Sequence, residues 1–303
     1  MNDRERFLRT FHFESVDHVP DEEFGYWGET LTAWHSQGLP EYVTDNPRAD
    51  IFFGFARRSG SPYNVGLLPG FEHKKIDEDE RHVTIRDWDG ATKMLNKDGT
   101  SSIPKYLKFA LETREDWEKE FKPRLDPTNP ARVPANFDAW KESVRDREYP
   151  LGISLGSLFG WIRDWMGFEN VCYAIHDDPR LIQEIMDHLT NLTLSIIDRP
   201  VREVRMDYAF MWEDMCFNHG PILPTPLFAE WMVPRLSRLT GLLKEHGCDV
   251  VIVDCDGNIN ELVPHWLDAG VNVMFPVEVR GGTDPIQLRE KYGAQSAAGG
   301  RSR

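Results

Sequence analysis

The sequence predicts an α/β fold of the (β/α)8 barrel type, formed as one domain over residues 1–303. Three observations predict it. From residue 150 onward short apolar runs alternate with helical patterns, the rhythm of a parallel sheet buried under helices. A length of 303 residues suits a single barrel, because barrels of about 250 residues fold as one domain. Acidic residues also follow three successive strand patterns directly, at the rim where a barrel carries its active site.

Each element has a local reason. Residues 3–13 place Phe7, Leu8 and Phe11 at helical spacing behind Asp3, a capping residue. "VDHVPDEEFGYW" predicts a short strand opening into an acidic, aromatic loop with Asp21, Glu22, Glu23, Tyr26 and Trp27. Residues 48–110 read as short strands and turns, with a hairpin around Asp89-Gly90. Residues 112–148 are polar and punctuated by proline, with helical pieces near 114–121 and 136–146.

The alternating part begins with a strand at 149–156 that ends in glycine. Helical patterns follow, broken at Asp178-Pro179, and then a strand at 204–214. Residues 226–246 predict a long helix with a bend before Pro234 and a stop at Gly247. A strand at 249–254, a helix at 259–268, a strand at 271–277, a helix at 284–291 and a last strand in "AQSAAGG" complete the series.

Composition excludes some functions. A formal net charge of −15 argues against nonspecific nucleic-acid binding and against an anionic membrane surface. The four cysteines form no CxxC pair and read as reduced thiols of a cytoplasmic protein. The opening "MNDRERF" is charged from the start, unlike a secretory signal. No apolar run approaches the roughly 18 residues of a membrane helix. Neither a P-loop, a GxGxxG turn nor a nucleophile elbow is present.

The strand ends supply the candidate site. The 204–214 strand ends in Glu213 and Asp214, and the 249–254 strand leads through Asp254 and Asp256 to Asn258. The 271–277 strand ends in Glu278. Carboxylates gathered at one rim raise one another's pKa, bind a hard metal or hold a polar or cationic ligand. Glu213, Asp214, Asp256 and Glu278 are therefore the catalytic candidates, and Asp254 with Asp256 the candidate metal ligands. Trp27, Arg163, Trp165, His219 and Asn258 occupy loops on the same rim and are candidates for substrate binding. Asn258 also suits a plain helix cap.

The chain resembles the uroporphyrinogen decarboxylase superfamily, whose barrels are similar to those of methionine synthase. The stretches that carry the resemblance are "RERFLRTFHFESVDHVP", "GSLFGWIRDWMGFENVCYAIHDDPRLIQEIMD", "DYAFMWEDMCFNHGPILPTPLFAEWMVPRL", "HGCDVVIVDCDGNINELVPHWLDAGVNVMFPVE" and "DPIQLREKYG". The resemblance implies methyl transfer linked to a corrinoid protein or a small methyl donor. Its alternative is decarboxylation of uroporphyrinogen or a smaller carboxylate, as in porphyrin biosynthesis. A carboxylate-pair hydrolase using Glu213 and Glu278, or a catalytically silent barrel, are the remaining expectations. Implied partners are a small-molecule substrate, a corrinoid protein and a second copy of the chain in a homodimer.

Two departures bear on the chemistry. Decarboxylases of the superfamily carry an Arg-rich loop after the first strand, whereas residues 19–47 hold six acids and no Lys or Arg. The methyltransferase branch carries a zinc-binding His-x-Cys-Gly motif. Aligned on Gly257, its ligand positions are Asp254 and Asp256 here, which suit a harder metal than a thiol-activating zinc. Members also continue past the segment matching "GAQSAAGG", so the barrel is expected to be incomplete at its C-terminus.

Overall fold

Six parallel strands form the central sheet of the computed structural model, which describes residues 1–99 and 103–298. Their order is Ser59–Gly60, Leu151–Gly156, Tyr208–Trp212, Val251–Asp254, Val273–Phe275 and Ala297–Ala298, so the sheet follows the chain. Register is fixed by pairs such as Ile252 with Phe210 and Asp254 with Trp212. On the far side Asp254 pairs with Phe275.

Both faces of this sheet are apolar, which is why its strands read as continuous hydrophobic runs. The side chains of one parity, Ala209, Met211, Val251, Val253 and Met274, join the large core under the helices. Those of the other parity, Tyr208, Ile252 and Val273, form a smaller cluster with Phe7 from the N-terminal helix Asp3–Phe11. The Phe7 and Tyr208 rings lie 5.2 Å apart. Burying a phenylalanine of this kind contributes about 2–3 kcal/mol. The N-terminal helix therefore closes the second face of the sheet from its amino-terminal end.

Most predicted elements occur. The Asp89-Gly90 hairpin joins His82–Arg86 to Thr92–Asn96 within a four-stranded antiparallel sheet. The helix Pro179–Glu203 begins at the predicted break, with Asp178 capping it. The bend before Pro234 is a π turn, Phe228–Met232, ahead of the helix Val233–Glu245. The helix after the fourth strand is shorter than predicted, Val263–Asp268, because residues 260–262 are taken up by turns.

One expectation requires correction. Residues 16–27 form no strand; they carry no regular secondary structure and are tied by the Ala56 amide donating to the Asp21 carbonyl at 2.7 Å. The short Ser59–Gly60 strand stands beside Leu151–Gly156 instead. The (β/α)8 expectation is met in its coarser part, a parallel sheet with helices. Among the described residues, no ladder joins the Ser59–Gly60 edge to the Ala297–Ala298 edge. The architecture is an α/β sheet of six parallel strands with helices packed on it, compatible with a barrel-like arrangement. No helix among the described residues is long and apolar enough to cross a membrane.

Candidate functional site

A cavity of about 1040 Å³ opens on the face of the sheet opposite the main helical core. Its floor is the smaller apolar cluster: Phe7, Phe11, Phe210, Ile252, Val273 and Phe275. Its mouth is acidic, with Asp214, Asp254 and Asp256 at the carboxyl ends of two adjacent strands. Residues 19–24 line the same space, and the Phe24 ring lies 4.9 Å from that of Phe275. The size falls at the upper end of ordinary small-molecule sites.

Strand parity decides which acids reach it. Positions 208, 210 and 212 point to the face of the sheet that carries the cavity, so 209, 211 and 213 point to the helices. Glu213 is therefore fully buried on the helical side. It accepts hydrogen bonds from the amides of Leu158, Phe159 and Gly160 at 2.8–3.0 Å and from the Ser157 hydroxyl at 3.2 Å. These amides open the helix Phe159–Met166, whose positive end favours a carboxylate. Burial pushes the Glu213 carboxyl up, and the four donors oppose that rise. The cradle is tight: a Cβ on Gly160 would stand 2.5 Å from the Glu213 carbonyl oxygen. Glu213 positions a helix, and its oxygens are occupied.

Asp254 is the opposite case. Its carboxyl lines the cavity, is 7 % exposed, and meets no hydrogen-bond donor or cation among the described residues. Loss of water, then the nearby charges of Asp256 and Asp214, push it up to about 7. Asp256 is more open to solvent and is pushed up to about 6 by partial loss of water, then by Asp214 and Glu278. Solvent screens part of the shift at Asp256. Asp254 can thus carry a proton at neutral pH while facing a ligand space.

Asp214 holds the mouth's nearest cation. Its backbone φ is +36°, a left-handed conformation that ends the strand sharply. Arg163 donates to both the carbonyl and, at 3.1 Å, the carboxylate of Asp214. The same guanidinium contacts Asp164 at 3.2 Å and lies 5.3 Å from the Trp212 ring centroid. Its charge is answered by neighbouring acids.

The other candidates take structural places. Glu278 accepts from the Gly257 amide at 2.7 Å and does not line the cavity. That turn needs glycine, since φ is +85° and a Cβ would meet the Cys216–Phe217 backbone at 2.9 Å. Asn258 accepts from Asn260 at 2.8 Å, so it closes the same turn. Trp165 is 3 % exposed in the core, its ring 5.1 Å from Phe121. Trp27 is exposed ahead of the helix Gly28–His35, and His219 is exposed in the turn between Cys216–Phe217 and Gly220–Pro221. None of these five lines the cavity.

The donor set does not fit a metal. Among the described residues no three His, Cys, Asp or Glu side chains are grouped to hold one. Asp254 and Asp256 form only a pair, and a metal there would have to compete with the proton that Asp254 holds up to about pH 7. The cysteines add nothing, as Cys216 and Cys255 are buried and face the core, and burial pushes the Cys255 thiol well up.

Sequence reasoning missed the aromatic walls and Arg58 and Arg289, which also line the cavity. The signal for Phe210 and Trp212 was the two-residue alternation along the strand. No comparable signal marked Arg58 or Arg289.

Comparison with solved structures finds a methyltransferase from Methanosarcina mazei with a TM-score of 0.57 and 12% identity, covering 98% of this chain and 82% of that one. The likeness is one of fold. No protein-family model matches the chain, and no curated protein matches it in sequence.

Proposed function

We propose that the chain is a methyl-transfer enzyme, a divergent barrel of the uroporphyrinogen decarboxylase superfamily, in which Asp254 handles the proton of the leaving heteroatom. The observation that carries this reading is the Asp254 carboxyl itself: buried, without a donor or cation, and raised to about 7 beside a ligand-sized cavity. A general acid works best when its pKa lies near the working pH. Fold likeness to a methyltransferase supports the same direction. The proposed donor is a small methylated molecule seated on Phe210, Trp212 and Phe275. The acceptor enters as a second substrate, because the buried thiols of this chain face away. A corrinoid carried by a partner protein is the proposed class of acceptor. Zinc has no role in this reading, since Asp254 and Asp256 lack further ligands.

The test is methyl transfer from methoxylated and N-methylated donors to cob(I)alamin, followed by its absorbance. Wild-type protein is expected to transfer, and Asp254→Asn to lose about 10²–10⁴-fold in rate. Equal rates for the two proteins, or no transfer from any donor, contradict the proposal.

Decarboxylation is the second reading, favoured by Arg58 and Arg289 lining the cavity. Both are already engaged. Arg58 stands 3.6 Å from Glu22 and donates to the Glu23 carbonyl, and Arg289 donates to the Gly293 carbonyl and lies over the Phe13 ring. Carbon dioxide release from uroporphyrinogen or a smaller carboxylate is the outcome that would favour it. The carboxylate-pair hydrolase is set aside, because neither Glu213 nor Glu278 lines the cavity.

A further inference from the structure

We infer that the cavity takes an organic cation, specifically a methylated ammonium compound, with Asp254 as its counter-ion. This rests on the methyl-transfer reading and narrows the donor from any methylated molecule to a nitrogen one.

The first support is the charge of the lining. Six carboxylates, those of Asp21, Glu22, Glu23, Asp214, Asp254 and Asp256, stand against two guanidinium groups, Arg58 and Arg289. Both arginines already have partners, as does Arg163 behind the wall with Asp214 and Asp164. An anionic ligand would enter against this excess of like charge, whereas a cation would be drawn in.

The second support is independent of the count. Asp254 is more than nine-tenths buried, faces the cavity and has no donor or cation among the described residues. Buried carboxylates are normally paired or hydrogen-bonded. Glu22 also lines the cavity and has a buried Oε1 without a hydrogen-bond partner, although its other oxygen stands 3.6 Å from Arg58. An unpartnered carboxyl that lines a ligand-sized space marks a place for a positive group.

The third support is the wall chemistry. Phe24, Phe210, Trp212 and Phe275 line the same space. Aromatic faces attract cations that hydrogen-bond poorly, and methylated ammonium groups are the ligands such walls suit best. A compact ammonium with free N–H groups would instead need hydrogen-bond acceptors around its whole surface. The combination of rings and isolated carboxylates selects a methylated one.

The reaction balances with this donor. A neutral tertiary amine takes the Asp254 proton at nitrogen and becomes an ammonium paired with the carboxylate. A quaternary donor arrives charged, and Asp254 releases its proton to solvent. In both cases the N–CH₃ bond breaks with its electron pair staying on nitrogen. The lone pair of the acceptor, cob(I)alamin in the assay above, forms the new bond to the methyl group, and a neutral amine departs.

The test compares tetramethylammonium and choline with 3,3-dimethyl-1-butanol, the uncharged carbon isostere of choline, by quenching of tryptophan fluorescence and by calorimetry. The full chain is expected to bind the cations at least about tenfold more tightly than the isostere. With Asp254 ionising near 7, affinity for tetramethylammonium is expected to weaken up to about tenfold per pH unit below that point. The groups facing Asp254 are Asp256 and Asp214, both acids, so none of them reverses this sign. Asp254→Asn, checked for folding by circular dichroism, is expected to lose the charge preference and its pH dependence together.

Equal binding of the isostere, tighter binding of the anion pivalate, no binding of tetramethylammonium at millimolar concentration, or an unchanged preference in Asp254→Asn each overturns the inference. Failure of the two ideas is separable. Cation binding without transfer from any donor sinks methyl transfer alone, and transfer from methoxylated donors without cation preference sinks only this inference.

Discussion

Asp207 and Asp254 stand near opposite ends of the same parallel sheet, and both are buried carboxylates. Their surroundings differ completely. Asp207, just before the Tyr208–Trp212 strand, accepts from Arg4 at 2.9 Å, from Arg147 at 2.8 Å and from the Leu151 amide at 3.0 Å. Asp254, at the carboxyl end of the neighbouring strand, meets only other acids. The first tethers the N-terminal helix and the segment before the Leu151–Gly156 strand to the sheet. The second leaves a carboxyl facing an open cavity. One buried acid is satisfied three times over, and another on the same sheet lines a cavity without a partner among the described residues.

The largest effect that would break this comparison is at the satisfied end. Asp207→Asn leaves Arg147, whose side chain is 3 % exposed, without its counter-charge. Loss of about 3–5 kcal/mol of unfolding free energy in urea is expected, as for other buried pairs broken on one side. A loss under about 1 kcal/mol would mean that Asp207 is not the anchor described.

At the other end the sign reverses. Asp254 has a folded-state pKa of about 7, above the value near 3.8 of an ordinary Asp. The folded chain therefore holds the proton longer than the unfolded one, and stability falls as pH rises from about 4 to about 7. Asp254→Asn is expected to stabilise the protein by up to about 4 kcal/mol at pH 8 and far less at about pH 4. Melting curves at the two pH values check this. A destabilised Asp254→Asn at pH 8 would place Asp254 with Asp207.

Glu213 lies between the two in sequence order and sharpens the contrast with a smaller effect. Glu213→Gln turns an amide donor toward the three amides of the Phe159–Met166 helix. A loss of about 1.5–3 kcal/mol is expected, with tetramethylammonium affinity unchanged. A large change in affinity at constant fold would return Glu213 to the ligand site.

The rim was legible in the sequence because carboxylates after apolar runs are few and their positions follow strand ends. Asp214, Asp254 and Asp256 were found that way. Glu213 shows what was overlooked: one step along a strand turns a side chain to the other face, and its parity with Met211 assigned it to the helices. The long helices were readable from their periodicity and from Asp178-Pro179 and Gly247. Residues 16–27 looked like a strand because Val16 and Val19 favour extended backbone, yet pairing there depends on a neighbour that local pattern does not contain. Partnership was the least legible property of all. Arg4, Arg147 and Asp207 are far apart in the chain, and only the folded sheet shows which acid is answered and which is not.

The central claim is that Asp254 is a cavity-facing carboxyl that exchanges its proton near neutral pH. It is tested most directly by carbon-13 NMR of the aspartate side-chain carboxyls through a pH titration, with Asp254→Asn assigning the signal. A midpoint close to 7 that moves down when tetramethylammonium is added is expected. A midpoint near 4, unmoved by the cation, would contradict it.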